Sequence, residues 1–361
     1  MSGQATMDHD VLRVGSRQQG FTLIELMVAM LLGLIVIGGV TSVFLANQQV
    51  YRSNQALGDV EDGSRTAFDL MATDIRQAGL TGCGTTRKIA NVLNDGPYAG
   101  GTVDWFADWN NSLHGYGQSQ TDPALSSLAG AGQRAASSTT AADTSDSLAL
   151  IGTNALPVSV KSDVQPGDTI HLSGASGLSA GDIIMVCDPN RAAIVQVTSI
   201  PASASSVADV AHDIGTSGIS PGNCSDGLGY LTACDGGNGN ANPFPFNAQV
   251  GTLTAVDWYI GLNPAASSGR SLYRVRLQNV GGTSSATTAE EMVRNVTGMR
   301  IRYHVANAAS LVAASAVTNW NNVDAVQVTF WLQSSNQNAG VNATPIQRSY
   351  AFTATVRNRV N

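Results

Sequence analysis

The sequence predicts an α+β protein: one long N-terminal helix, membrane-embedded in its first half and amphipathic in its second, packed on a large antiparallel β-rich head. Three observations carry this expectation. Phe21–Ala46 is a run of 26 residues with a single charge, Glu25, longer than the roughly 20 residues a helix needs to cross a bilayer. Behind it Val50, Leu57, Val60, Ser64, Ala67, Phe68, Met71, Ile75 and Ala78 recur at the three-, four- and seven-residue steps of one helical face. From Leu80 onward, short apolar runs alternate with period two in a Gly-, Ser-, Thr-, Ala- and Asn-rich background, the pattern of strands.

The helix has a defined stop. Gly79 can take the left-handed position just past the helix and Leu80 can fold back on Ile75, as in a Schellman cap. A helix from Phe21 to Ala78 would be about 87 Å long at 1.5 Å per residue. Arg52, Asp59, Glu61, Asp62, Arg65, Asp69 and Asp74 fill the positions off the apolar face. Gly33, Gly38 and Gly39 fall inside the apolar run, each weakening the helix by about 1 kcal/mol relative to Ala. Local unwinding and close helix packing in lipid explain them equally well.

Among the strands, Met299–Val305, Val323–Leu332 and Arg348–Val356 are rich in Val, Phe, Tyr and Trp with clear alternation. Ser147–Ile151 and Thr169–Leu172 read as shorter strands, and Val256–Leu262 pairs with Leu272–Leu277. Asp182–Cys187 and Ala193–Ile200 flank Asp188-Pro189-Asn190-Arg191, a turn signal that makes them a hairpin. Gln118–Asp146 holds few large apolar residues and reads as a surface loop. Pro201–Asn242 is similar but contains two cysteines.

The four cysteines are Cys83, Cys187, Cys224 and Cys234. An even count in an exported chain suggests two disulfides, for which three connectivities exist. Cys224 and Cys234 bracket a Gly- and Asp-rich loop, where a staple offsets a missing core by about 2–3 kcal/mol. That leaves Cys83 with Cys187; free buried thiols are the alternative. No Cys-x-x-Cys is present and no histidine lies near either pair, which argues against a metal site.

The formal net charge of −7 is unevenly spread. Residues 270–361 hold nine Arg against Glu290, Glu291 and Asp324, a net of +6, so residues 1–269 carry −13. Arg274/Arg276, Arg300/Arg302 and Arg357/Arg359 alternate and so share strand faces. Such a stripe suits an acidic neighbouring subunit better than DNA, and solvated faces balancing the acidic half explain it equally well. No catalytic constellation is visible. His9, His114, His171, His212 and His304 form no zinc-protease pattern, and no nucleophile elbow or phosphate loop occurs. Asp235–Asn240 has the flavour of a calcium loop but lacks its closing Glu. The chain reads as non-enzymatic, with no cofactor implied.

Gly20-Phe21-Thr22-Leu23-Ile24-Glu25, a Gly and an aromatic residue followed by an acidic one at the edge of the apolar run, resembles the type IV prepilin signature. An ordinary secretory signal has a 7–15-residue apolar core, far shorter than this run, although Ser42–Ala46 would pass as its small-residue cleavage site and leaves that alternative open; a simple signal anchor would leave Glu25 without a purpose. The resemblance extends to the PilW family of minor pilins through Asp74–Gly79, Leu113–Tyr116, Asp182–Asp188, Gln196–Thr198, Glu291–Val293, Asn295–Met299 and Thr355–Arg359.

The resemblance implies a leader over residues 1–20, a membrane and filament-core helix over 21–46, its amphipathic half over 47–79, and a periplasmic head over 80–361. It implies cleavage between Gly20 and Phe21 by a prepilin peptidase, methylation of the new Phe21 amine, and pairing of Glu25 with the terminal amine of a neighbouring subunit. A buried charge is tolerable when it is paired in this way. A Glu25→Ala change is then expected to leave membrane insertion intact and reduce incorporation into pili. The implied partners are other minor and major pilins, the inner membrane and the pilus assembly platform. A type II secretion pseudopilin, or an adhesive or DNA-binding pilus tip, would share the same leader.

Overall fold

The computed structural model describes residues 20–361 apart from 85–87, 137–139, 168, 175, 202–208, 216–217, 287, 358 and 360–361. The expected leader, Gly20 excepted, and Asn358 of the C-terminal patch lie outside the described residues. The chain divides into two compact units, 1–52 and 53–361.

Helix α1 spans Leu23–Gln77. In the first unit its side chains are almost all exposed, and by length and composition it is apolar enough to cross a membrane. The Thr41 and Ser42 hydroxyls are satisfied within the helix: Thr41 Oγ1 donates to the Ile37 carbonyl (2.7 Å) and Ser42 Oγ to the Gly38 carbonyl (2.9 Å). Internal bonding of this kind lets polar atoms sit in hydrocarbon at little cost.

In the second unit α1 buries Ala56, Val60, Ser64, Ala67, Met71, Ala72 and Ile75, the face that its apolar spacing defines. Gly79 is left-handed (φ 73°) as the stop signal requires, yet the bonds are not those of a Schellman cap. The Gly79 N–H donates across to the Ile151 carbonyl (2.8 Å), and the Leu80 N–H closes a short turn to the Gln77 carbonyl (3.0 Å). The helix end is thus fixed by the sheet beneath it. Gly152 permits that approach, since a Cβ there would sit 2.9 Å from the Gln77 carbonyl oxygen.

Fifteen strands follow among the described residues: β1 (Ile89–Asn91), β2 (Leu113–Tyr116), β3 (Ser147–Asp163), β4 (Thr169–Leu172), β5 (Ile183–Asp188), β6 (Arg191–Gln196), β7 (Asp209–Ala211), β8 (Gln249–Leu262), β9 (Arg270–Arg276), β10 (Gln278–Val280), β11 (Thr283–Ser285), β12 (Ala289–Arg294), β13 (Val296–Val305), β14 (Val323–Gln333) and β15 (Gln347–Thr355). Ten of them form one sheet with the path β1-β6-β5-β8-β3-β4-β7, to which β2, β9 and β12 attach. β13-β14-β15 form a second sheet and β10-β11 a hairpin. All named pairings are antiparallel except β1 with β6. The core under α1 draws on both large sheets, with Trp258 and Leu272 from one and Ile301, Tyr303, Val328 and Phe330 from the other.

Both disulfides are present, Cys83–Cys187 and Cys224–Cys234. The first ties the segment after α1 to β5, and the second staples the Gly-rich loop. Two expectations need correction. β3 runs for 17 residues rather than five, because its second half pairs with β4. Residues 118–146, read as a plain surface loop, are pinned to the head. Arg134 donates to the carbonyls of Ser145 (2.7 Å), Gln120 (3.0 Å) and Gly117 (3.2 Å), while Asp122, Ala124, Leu125 and Ala135 are buried. Main-chain capture by one guanidinium adds to the modest apolar burial of this segment.

Candidate functional site

Gly20, Phe21 and Glu25 gather at the start of α1. Thr22 is the residue before the first helical turn and Glu25 is its third residue, and they bond reciprocally. The Thr22 N–H and Oγ1 donate to Glu25 Oε2 (3.2 and 3.0 Å), and the Glu25 N–H donates to Thr22 Oγ1 (3.3 Å). This is a capping box, which satisfies main-chain donors that a helix start leaves orphaned. The Thr-x-x-Glu spacing signals it directly in the sequence. Phe21 beside it is 85% exposed, and the acidic side chain lies in the first turn, where the helix dipole favours negative charge. The arrangement is chemically an accessible carboxylate on a capped helix end.

Of the three arginine pairs, Arg274/Arg276 is engaged whole inside the head, and Arg359 is the engaged member of another. Arg274 and Arg276 both bind Glu290 (3.0 and 2.8 Å), and Arg274 lies over the Trp258 ring while Trp258 Nε1 donates to Asp74 (2.8 Å). Burial pushes the Asp74 carboxyl up, against the pull of Trp258 and Arg274. Arg359 donates to Ser112 Oγ (3.0 Å) and to the carbonyls of Trp320 and Val323, and its burial lowers its pKa to about 10. Arg300 and Arg302 alternate on β13, with Arg300 over the Trp331 ring.

Asp235 is engaged in a turn, accepting from the Gly237 N–H (2.9 Å). Among the described residues no cluster of three or more His, Cys, Asp or Glu could hold a metal ion. His171 pairs with Asp209 (2.7 Å), and His304 with Asp324 (2.5 Å) and the Ala308 carbonyl.

One polar cluster went unread in the sequence. Asp257, in the middle of β8, is 0% exposed, and neither of its oxygens makes a well-formed hydrogen bond, although the Leu148 N–H lies near enough to pull its pKa down. Asp122 faces it, accepting from Ser147 Oγ and from the Ala124 N–H (3.0 Å). Burial first, and then the neighbouring Asp122, raise the Asp257 pKa well above the carboxylate range. Tyr303 Oη, also buried, has no partner. The available signal was an Asp inside the apolar strand Val256–Leu262.

Two family profiles match the chain. Residues 15–41 match the prokaryotic N-terminal methylation motif, and residues 257–358 match the family described as type IV pilus-assembly protein W. The first spans the capping box and the apolar run as far as Thr41, and the second runs from Asp257 through β15. No curated protein and no solved structure matches the chain.

Proposed function

We propose, from the premise that this chain is a type IV pilus pilin of the PilW family carrying an N-methylation signal, that it is a minor pilin acting in pilus assembly and priming. Residues 1–20 are removed between Gly20 and Phe21, the Phe21 amine is methylated, and the helix over 21–46 anchors the chain in the inner membrane with its head in the periplasm. The chain then enters the pilus. Its partners are the prepilin peptidase and methylase, the assembly platform, and other minor and major pilins. Pilin-family domains are structural rather than enzymatic.

The observation that carries this reading is the position of Glu25, the one charge in 26 apolar residues, placed where proteolysis would create an amine. A carboxylate in a membrane helix costs on the order of 3 kcal/mol, so it calls for a cationic partner. Glu25→Gln separates the two roles of this side chain, because glutamine also closes a capping box but carries no charge. The variant is expected to insert normally and to enter pili at least about tenfold less, a loss of roughly 1.4 kcal/mol. Wild-type incorporation of Glu25→Gln would refute charge pairing. Mass spectrometry of the mature N-terminus should find methylated Phe21.

A further inference from the structure

A strand at a sheet edge offers unpaired N–H and C=O groups, and folded proteins blunt such edges by shortness, charge, Pro, bulges or cover. Most edges of the head follow that rule among the described residues. β1 and β7 are three residues long and β2 four. β12 carries Glu290, Glu291 and Arg294 and its register breaks between Glu291 and Val293. β13 is covered on its far side, where Met299 exchanges bonds with Thr144 and Asp146 and Tyr303 pairs with Val312. β15 differs. It runs nine residues, pairs with β14 without a register break, contains no Pro and carries one charge, Arg348.

A second observation falls at the same edge. Tyr350 and Phe352 point to the α1 side of the sheet and are only half-buried, and Phe352 stacks on half-buried Phe68 at 4.5 Å. An aromatic seam is left open beside the free strand. Around half-buried Tyr350, Arg65 and Arg348 outnumber Glu61, so this end of the edge is locally cationic.

We propose that β15 is a strand-addition site. An extended segment of another polypeptide, apolar at alternate positions and acidic where it passes Arg348, pairs its main chain with the free edge and covers the Phe68–Phe352 seam. A helix could cover the seam but would bring no free main-chain groups to the edge, so the edge selects an extended occupant. Pairing at β15 does not depend on a role in priming, and the two are tested by different variants.

The test uses the full-length chain in its native membrane, with photo-crosslinking benzoylphenylalanine at Thr353 on β15 and, as a control, at Thr66 on the exposed face of α1. The expected result is an adduct at Thr353 whose partner peptide, sequenced by mass spectrometry, alternates apolar residues with period two and contains Asp or Glu. Ala351→Pro, which blocks pairing at an edge, should reduce that adduct at least about tenfold, equivalent to roughly 1.4 kcal/mol. If Ala351→Pro lowers the unfolding temperature, the double variant Ser349→Lys/Ala351→Lys replaces it, since both side chains are exposed. Absence of the adduct, an adduct with 3.6-residue apolar spacing, or one that survives the edge variants overturns the proposal.

Discussion

Glu25 and Asp257 are both carboxyl groups set in apolar stretches of sequence, and their surroundings treat them in opposite ways. Glu25 occupies the first turn of α1, where main-chain N–H groups have no helical partner, and Thr22 supplies it with two donors. Asp257 sits in the middle of β8, paired on one side to Ala149 of β3 and on the other to Val275 of β9. The ladders occupy the main chain on both sides, and what Asp257 meets is the Asp122 carboxyl and the Leu148 N–H, too little to offset its burial. A helix terminus can host a charge because its backbone is unfinished. A central strand has a finished backbone, so a carboxyl there is driven to hold a proton.

The sharpest way to break the strand side of this comparison is to crowd it. Tyr303 lies across Gly115 of β2, so that a methyl group there would fall 1.7 Å from the hydroxyl and 2.3 Å from the ring carbon bearing it. Neither the ring nor β2 has room to yield, because Tyr303 is fully buried. Gly115→Ala should therefore cost about 3 kcal/mol, the upper end for overpacking, read as a shift in the urea midpoint at constant slope. A cost below about 0.5 kcal/mol would mean that the acid cluster and its cover are loosely held.

A gentler change sharpens the comparison by replacing the proton. Asp257→Asn keeps the shape and supplies an amide donor toward Asp122. In the wild type the folded pKa of Asp257 lies above its unfolded value. Stability from this group is fully present below about pH 4 and is lost as pH rises through the folded pKa. Asn does not titrate, so the variant should match the wild type near pH 4 and gain on it by about 1.4 kcal/mol per pH unit above that, until the folded pKa is passed. Asp104, raised to about 6 by burial and by Asp95, titrates in the same window in both proteins and cancels in the difference. Unfolding curves at pH 4, 5, 6 and 7 check this, and a pH-independent gap would contradict a protonated Asp257.

What the sequence disclosed followed the range of the interactions involved. The apolar run, the helical face from Val60 to Ile75, the Gly79 stop and the β5–β6 hairpin are local patterns, and each was readable. Both disulfide pairings were also legible, because the ten-residue loop between Cys224 and Cys234 fixes the remaining pair. The parallel β1–β6 contact, the 17-residue length of β3 and the anchoring of residues 118–146 depend on partners far along the chain. Arg134 gives no sign in sequence that it will collect three carbonyls. The pairing of the two acids was illegible for the same reason, although Asp257 stood out within its apolar strand: Asp122 and Asp257 meet only once β8 and the 118–146 segment are assembled. The Thr22–Glu25 box is the opposite case, a local signal overshadowed by the membrane argument for Glu25.

That box provides the smallest and most discriminating change on the helix side. Thr22→Ala removes the hydroxyl that donates to Glu25 and accepts from its N–H, while leaving the carboxylate in place. Loss of a Thr cap costs about 1 kcal/mol, which should speed hydrogen exchange of the Glu25 amide by roughly fivefold in micelles. If Glu25 serves mainly as a charge, Thr22→Ala should still enter pili at close to wild-type levels, unlike Glu25→Gln. If it serves mainly as a cap, the ranking reverses, because glutamine preserves the box and Thr22→Ala destroys it. The two variants therefore assign Glu25 by the order of their effects, whatever the absolute level of piliation.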